Sequence, residues 1–243
     1  MLSLQDTILS GSTCSDNRYF QSYLTTWSSR YGTVPETLPT KLPFWDRPAL
    51  LSDRAVVEAS LNSPHQQASY LSASSPHSGD WLYAMPITSC GLRLDDEAVR
   101  VAVGLRLGSS LRVPHQCQCG SLVIAHGLHG FICKKAASRT SRHHALNDLL
   151  ARAFASAAIP VAKEPLGLSG ADGKRPDGLT MVPWREGKPL IWDVTVVCPL
   201  AESYIGDSAA NAGSAAEAAA TRKAAKCAGL ERTHIFQPVA VEI

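Results

Sequence analysis

The sequence predicts an α+β fold, an α/β sandwich in which helices cover a sheet. A chain of 243 residues with 45% hydrophobic content can bury a sizeable core. From residue 139 to residue 243, helical and strand patterns follow one another in a mixed order, which is typical of a sheet packed against helices. A Cys/His cluster over 115–136 precedes this core. Residues 1–110 form a mainly helical N-terminal region whose role the sequence does not indicate.

The N-terminal region contains two helical patterns with suitable capping residues. Ser52 can cap a helix that runs to Leu61, and Asp95 can cap a second helix that Gly108 ends. The residues before position 80 are otherwise rich in Ser, Thr and Pro, and no internal repeat is visible.

The core is predicted to contain six elements. Apolar residues at helical spacing predict the first helix, which Pro160 stops, and apolar runs predict the strands. The loop 183–189 connects two of these strands as a hairpin. In chain order the elements are a helix over 143–158, strands over 161–164, 179–182 and 190–197, an alanine-rich helix over 209–230 and a strand over 234–241.

Charge and cysteine content narrow the classes of partner and compartment. The net charge is only +2, but basic residues exceed acidic ones over 134–188, which favours a polyanion partner, with a merely solvated surface as the alternative. No signal segment is visible near Met1, and no run approaches the roughly 20 apolar residues of a membrane helix. We therefore expect an intracellular protein, nuclear or cytoplasmic, with no membrane partner. In that reducing environment clustered cysteines more often bind metal than form disulfides.

The segment 115–136 offers a ligand set for zinc. Three thiolates and one imidazole form a recognised tetrahedral set, and metal binding would stabilise glycine-rich loops that have little core of their own. His126 is a competing nitrogen ligand, and three buried free cysteines without metal are the alternative interpretation. The predicted zinc ligands are Cys117, Cys119, His129 and Cys133.

Two aspartates interrupt the strand patterns of the core. Asp177 begins one strand and Asp193 lies within the next, although a buried carboxylate is costly unless it is paired or binds a metal. Counted outward from a hairpin centre near Glu186, the two are close to register, so we expect them to meet. Paired carboxylates favour a hard divalent cation, Mg²⁺ or Mn²⁺, and Glu164 can supply a third oxygen. The alternative is a turn cap at Asp177 and an arginine partner for Asp193.

Carboxylate-bound Mg²⁺ suits phosphodiester chemistry, which also needs a cation for the charge that develops on the phosphate. The alanine-rich helix offers Lys223 and Lys226. Lys223 shares its helical stripe with the small residues that should face the sheet, whereas Lys226 lies nearer the edge. We therefore expect Lys223 at the site before Lys226.

The residues after the Cys/His cluster form a candidate nucleic-acid-binding flank. Arg142 is expected near a DNA phosphate, because a guanidinium can hold two phosphate oxygens at once. His143 and Asn147 lie one helical turn apart and could face the same DNA strand. The alternative is that these residues hold the cluster against the core. The flank consists of Lys134, Lys135, Arg139, Arg142, His143 and Asn147.

Three motifs follow one another in the second half of the chain. They are the Cys/His cluster, then Arg142-His143-x-x-x-Asn147, then Arg175-Pro176-Asp177 with Asp193-x-Thr195 after it. In this order they resemble the PD-(D/E)xK nuclease superfamily, and within it the restriction-enzyme-like endonuclease region of non-LTR retrotransposon polyproteins. The resemblance covers about residues 115–243. It implies a helix-strand-strand-strand-helix-strand nuclease core that follows a zinc knuckle.

The resemblance also implies a function. It predicts nicking of DNA at an integration target with Mg²⁺ or Mn²⁺, with Arg175 among the nucleic-acid contacts. Retroelement RNA and a reverse transcriptase, acting in cis or in trans, are the further partners that it implies. No polymerase motif with paired aspartates is visible, so the chain resembles a retroelement remnant or fragment.

One catalytic position departs from the family pattern. The last motif position is usually lysine, and here it is Thr195. Several branches of the superfamily move that lysine to the following helix, which would fit Lys223 or Lys226. Two functions therefore stay open, a metal-dependent DNA endonuclease and a catalytically inactive, zinc-stabilised DNA-binding module. A relic with no selected role is a third interpretation.

Overall fold

A computed structural model describes residues 18–32, 42–169, 173 and 175–243. The chain divides into two compact units, Met1–Leu61 and Asn62–Ile243. Helices come first, then the Cys/His cluster, then a mixed four-stranded sheet packed with helices, so the predicted α+β class is confirmed. The functional boundaries near 110, 115, 136 and 139 stay predictions. Across the described ranges, none of the helices is both long and apolar enough to cross a membrane.

The first unit contains helices α1 (Arg18–Tyr31) and α2 (Leu42–Ser60), which contact each other. Trp27 of α1 is buried, and its ring lies 5.6 Å from the ring of Tyr31. The helix predicted from Ser52 is the second half of α2. A proline inside the helix obscured the earlier turns, because proline normally ends a helix.

The second unit opens with helices α3 (Pro64–Ser74) and α4 (Asp96–Arg106). Asp95 caps α4 as predicted, because its carboxylate accepts a hydrogen bond from the Ala98 amide at 2.7 Å. Gly108 follows the end of α4 with φ of +63°, a conformation that favours glycine.

The sheet has four strands, which lie side by side in the order β3 (Val161–Lys163), β4 (Gly178–Thr180), β5 (Leu190–Val197) and β6 (Ile235–Glu242). The first two pairings are antiparallel, and β5 and β6 are parallel. Strand β5 is almost fully buried at Ile191, Trp192 and Val194, as expected of a strand covered on both faces. Its predicted bounds, 190–197, are confirmed.

Helices α6 (Ala137–Ser156) and α8 (Ser214–Cys227) cover opposite faces of β5. Helix α5 belongs to the Cys/His cluster and is described with it. Side chains alternate between the two faces along a strand. The Trp192 ring stacks on Phe154 of α6 at 5.1 Å, whereas the next side chain, Asp193, meets α8. This arrangement is the predicted sandwich.

Two helices differ from their predicted bounds. Helix α6 begins at Ala137, whereas the predicted helix began at His143. The earlier turns were missed because their residues are mostly polar and show no apolar periodicity. The helix expected over 209–230 is split into α7 (Ile205–Ser208) and α8. Gly213 separates them, since it takes φ of +83° at the N-terminus of α8.

Gly178 permits a close approach between β4 and β5. It pairs with Trp192, and a Cβ atom at this position would lie 1.9 Å from an atom of the indole ring. Only glycine therefore fits here without displacing the buried ring. The pairing of Gly178 with Trp192 places Asp177, the residue before Gly178, opposite Asp193, the residue after Trp192.

Candidate functional site

The Cys/His cluster is built from a short hairpin and one turn of helix. Strand β1 (His115–Gln116) pairs antiparallel with β2 (Leu122–Val123). Gly120 turns between them with φ of +90°, a conformation that favours glycine. Helix α5 (His129–Ile132) then brings the second half of the ligand set to the hairpin.

The four predicted zinc ligands lie together, with one ligand atom of each within 4.8 Å of the others. Cys117 Sγ lies 3.9 Å from Cys133 Sγ, and Cys119 Sγ lies 3.2 Å from His129 Nε2. Zinc bonds of usual length at tetrahedral angles separate their ligand atoms by about 3.5–3.8 Å, so this donor set fits zinc. A hydrogen bond with Ser121 lowers the pKa of Cys119 to about 6, which favours the metal-binding thiolate.

His129 completes the ligand set, and the competing His126 does not. His126 is exposed, and its Nδ1 lies 3.4 Å from the Ser109 carbonyl oxygen. His129 is the histidine grouped with the three cysteines. The structure therefore brings His129, and not His126, to the three cysteines, as the sequence analysis preferred.

The aspartates Asp177 and Asp193, here called the acid pair, face each other across strands β4 and β5. Gly178 pairs with Trp192, and the Asp177 amide donates to the Trp192 carbonyl oxygen at 2.9 Å. Opposite residues of an antiparallel pair project to the same face. The two side chains are only 13% and 14% exposed. The register counted from near Glu186 is confirmed.

Hydrogen bonds keep Asp177 ionised. Its Oδ2 accepts from the Val194 amide at 2.6 Å and lies 3.0 Å from His143 Nε2. Burial alone would raise the pKa of Asp177, but hydrogen bonds with His143, Asp193 and Val194 outweigh burial and lower the pKa. The hydrogen bond with Asp177 also raises the pKa of His143. A charged carboxylate therefore faces its partner.

Asp193 has the opposite balance. Burial and the hydrogen bond with Asp177 raise the pKa of Asp193 to about 6, although Lys223 opposes the rise. Lys223 Nζ donates to Asp193 Oδ1 at 2.7 Å. The structure thus brings Lys223 to the acid pair, on the inward face of α8. Below about pH 6 the acid pair therefore holds a proton that would compete with a divalent cation.

The acid pair and His143 together form a group that could hold a cation. One ligand atom from each of the three residues lies within 4.8 Å of the others. Carboxylate oxygens suit Mg²⁺ and Mn²⁺, which keep further positions for water or phosphate oxygens. His143 either joins as a ligand or orients Asp177 through their hydrogen bond. The donor set fits a divalent cation.

The side chains of His143 and Asn147 contact Asp177 and Trp192, at strands β4 and β5. Asn147 is 4% exposed, its Nδ2 donates to the Asp177 carbonyl oxygen at 3.1 Å, and its Oδ1 accepts from Trp192 Nε1 at 2.8 Å. His143 contacts Asp177 instead of facing outward. The two residues share one face of α6, as expected, and this face packs against the sheet. Asn147 is thus buried in the core, and the DNA contact predicted for His143, whose side chain is 33% exposed, stays a prediction.

Arg142 fits the alternative interpretation, in which it joins the Cys/His cluster to the core. Its Nη2 donates to the Phe131 carbonyl oxygen at 3.3 Å, and its guanidinium lies 5.0 Å from the centre of the Phe131 ring. Its Nε is buried without a hydrogen-bond partner among the described residues. Arg142 therefore turns towards the protein, and its contact with a DNA phosphate stays a prediction.

Glu164 donates its amide hydrogen to the Asp177 carbonyl oxygen at 3.0 Å, but its carboxylate does not join the acid pair. It follows β3 with φ of +47°, which turns the chain out of the strand, and its side chain is 55% exposed. Its Oε2 lies 3.3 Å from Arg175 Nη2. The two residues thus contact each other, although they were expected in a metal site and at nucleic acid.

The remaining predicted residues lie near Lys223 or on the surface. Thr195 lies two residues beyond Asp193, on the same face of β5. It lines a groove together with Lys134, Arg139, Lys223 and Lys226. Lys135 is exposed beside the Cys/His cluster. Arg222 also lines this groove and was missed, because a helical stripe of small residues indicates only the side chains that face the sheet.

No protein-family model, curated protein or solved structure matches this chain.

Proposed function

We propose that this protein is a metal-dependent DNA endonuclease with the acid pair as its catalytic metal site. One observation carries the proposal: two carboxylates from neighbouring strands face each other, and the Lys223 ammonium lies 2.7 Å from one of them. Hydrolysis of a phosphodiester needs a held cation and positive charge near the phosphate, and these groups can provide both.

Each residue of the site has a distinct role in this proposal. Bound Mg²⁺ or Mn²⁺ would polarise a phosphate oxygen and favour ionisation of a water molecule. Asp177 offers an ionised carboxylate that the Val194 amide and His143 hold in a fixed orientation. Asp193 offers a second carboxylate, which is ionised above about pH 6. Lys223 places a positive charge where negative charge develops on the phosphate.

The finer assignment rests on the resemblance to the nuclease region of non-LTR retrotransposons. It is supported by the order of helices and strands and by the Cys/His cluster that precedes them. It is also supported by Lys223, which reaches the acid pair from the helix and could replace the lysine missing at Thr195. The substrate would be DNA at an integration target, with retroelement RNA and a reverse transcriptase as further partners.

A second candidate is a catalytically inactive, zinc-stabilised DNA-binding module. Glu164 favours it, because this carboxylate is exposed and contacts Arg175 rather than completing the acid pair. Thr195 at the usual lysine position favours it as well. The two candidates predict the same DNA binding but different chemistry.

A plasmid nicking assay with Mg²⁺ or Mn²⁺ separates the two candidates. We expect the wild-type protein to convert supercoiled plasmid to the nicked form and the Asp193→Ala variant to lose this activity. Asp148→Ala is the matched control, because Asp148 is a 52% exposed carboxylate paired with Lys163. Zinc-loaded protein that binds DNA but does not nick it with either ion would contradict the endonuclease and favour the binding module.

A further inference from the structure

A basic groove lies beside the acid pair. The end of the Cys/His cluster, the start of α6, the end of β5 and helix α8 form its walls, and its volume is about 350 Å³. Among the described residues that line it, none is acidic. Its cationic side chains are Lys134, Arg139, Arg222, Lys223 and Lys226.

The groove lies next to the acid pair and meets it at Lys223. Lys223 both lines the groove and donates to Asp193, so one side chain borders both features. Thr195 lines the groove from the same face of β5 as Asp193. A chain bound in the groove would therefore reach the acid pair at the position of Lys223.

The charge of the groove identifies the class of its ligand. Cations gathered in one cleft repel one another, and a cleft lined by one sign of charge attracts ligands of the opposite sign. A phosphate backbone supplies negative charges at regular spacing and releases counterions when lysine and arginine bind it. A polyanion therefore suits the groove better than a single small anion.

Arg222 is held in a fixed orientation at this groove. Its guanidinium lies 5.3 Å from the centre of the Tyr204 ring, and its Nη2 donates to the Tyr204 hydroxyl. A planar guanidinium fixed in this way retains donors that can hold a phosphate with less loss of conformational entropy. The aromatic ring beside it adds a surface of the kind on which bases stack in single-strand sites.

We infer that this groove binds the phosphate backbone of one DNA strand and leads it to the acid pair. The inference rests on the proposed function, whose substrate it places on a particular surface. A volume of about 350 Å³ is at the lower end of the range for ligand pockets, about 300–1,000 Å³, so the groove takes the backbone of one strand rather than a duplex. The strand contacts Arg139, Arg222 and Lys226 instead of His143 and Asn147.

The test measures binding of a labelled single-stranded oligothymidylate by fluorescence anisotropy over a range of salt concentrations. No Mg²⁺ or Mn²⁺ is added, so binding is read without cleavage and the zinc stays in place. The variants are Arg139→Ala and Lys226→Ala, both exposed positions. Each should reduce the slope of log affinity against log salt by about 0.7, the value for one phosphate contact of a single strand. Lys226→Arg should keep the wild-type slope.

Arg185→Ala is the matched control. Arg185 is 72% exposed in the loop between β4 and β5, at the other end of the hairpin from the acid pair, and its slope should equal that of the wild type. Wild-type slopes in both groove variants would overturn the inference. An equal reduction in the control would also overturn it, because the binding would then follow total charge.

This result is separate from the outcome of the nicking assay. Binding that depends on the groove without any nicking would uphold the groove and contradict the endonuclease. Nicking that is unaffected by both groove variants would uphold the endonuclease and contradict the groove.

Discussion

The two carboxylates of the acid pair have different proton affinities because their neighbours differ. Asp177 accepts hydrogen bonds from the Val194 amide and His143, which lower its pKa. Asp193 is more strongly affected by burial and by the charge of its partner, and its pKa rises to about 6. At neutral pH Asp193 is therefore mostly ionised and can bind a cation, whereas at acidic pH a proton competes for the carboxylate.

The affinity for Mn²⁺ should rise with pH up to about 6, the pKa of Asp193, and above it only as His143 loses its proton. The raised pKa means that Asp193 is protonated below this value, so binding releases one proton and affinity should change by about tenfold per pH unit there. Isothermal titration of the wild-type protein at several pH values measures this. Asp193→Asn should bind weakly without the step. An affinity in the wild type that stays constant through this pH range would contradict the protonation of Asp193.

Lys223→Met should slow plasmid nicking by about 10²–10³-fold, the usual effect of removing one group that stabilises transition-state charge. Methionine retains the apolar stem of the side chain but not the ammonium that lies 2.7 Å from Asp193. Mn²⁺ affinity should stay the same or increase, because the ammonium no longer competes for the carboxylate. Lys163→Met, at a 50% exposed lysine, is the control. An unchanged nicking rate in Lys223→Met would exclude this role.

At the scale of elements, the β4 and β5 pairing positions the acid pair, and Gly178 is the residue that permits it. Gly178→Ala should lower the free energy of unfolding by about 1–3 kcal/mol or more, because the added Cβ would overlap the buried Trp192 ring. Urea unfolding measures the change. Gly206→Ala is the control, since nothing lies within 4 Å of a Cβ there and alanine favours helix α7. Similar losses in both variants would contradict this close contact.

The hairpin could be predicted from the sequence, whereas the face of α6 could not. The two aspartates lie at nearly equal distances from Glu186, and an antiparallel pairing turns equal distances into opposition. Helical spacing placed His143 and Asn147 on one face in the same way. Whether that face contacts DNA or the sheet depends on how α6 packs against β5, and the periodicity of the sequence does not indicate this packing. The buried contacts with Asp177 and Trp192 therefore appeared only in the structure.

At the scale of the whole molecule, helix α6 contacts both the Cys/His cluster and the acid pair. Arg142 contacts Phe131 of the Cys/His cluster, and the next residue, His143, contacts Asp177 of the acid pair. The ligand identities of the cluster could be predicted from the spacing of its cysteines and histidines, because the segment is local in sequence. Glu164 was misjudged because its backbone turns out of β3 at positive φ, which no residue pattern indicated.

Purified protein should contain about one zinc per chain, as a single four-ligand site requires. Cys133→Ser should lose this zinc, because Cys133 is one of the four grouped ligands. Cys198→Ser is a close control, since Cys133 and Cys198 are 5% and 6% exposed and only Cys133 belongs to the cluster. Elemental analysis by plasma mass spectrometry measures the zinc content. Full zinc content in Cys133→Ser would contradict the ligand assignment.

The most direct test of the central claim is the position of Mn²⁺ in a crystal of the protein grown or soaked with that ion. Anomalous scattering locates manganese without reference to activity. We expect a peak between the carboxylates of Asp177 and Asp193, with oxygen atoms of both at about 2.0–2.6 Å, the range of hard divalent cations. We also expect that the Lys223 ammonium remains beside the ion. Crystals in which Mn²⁺ binds elsewhere while these two carboxylates stay without it would contradict the claim that the acid pair is a metal site.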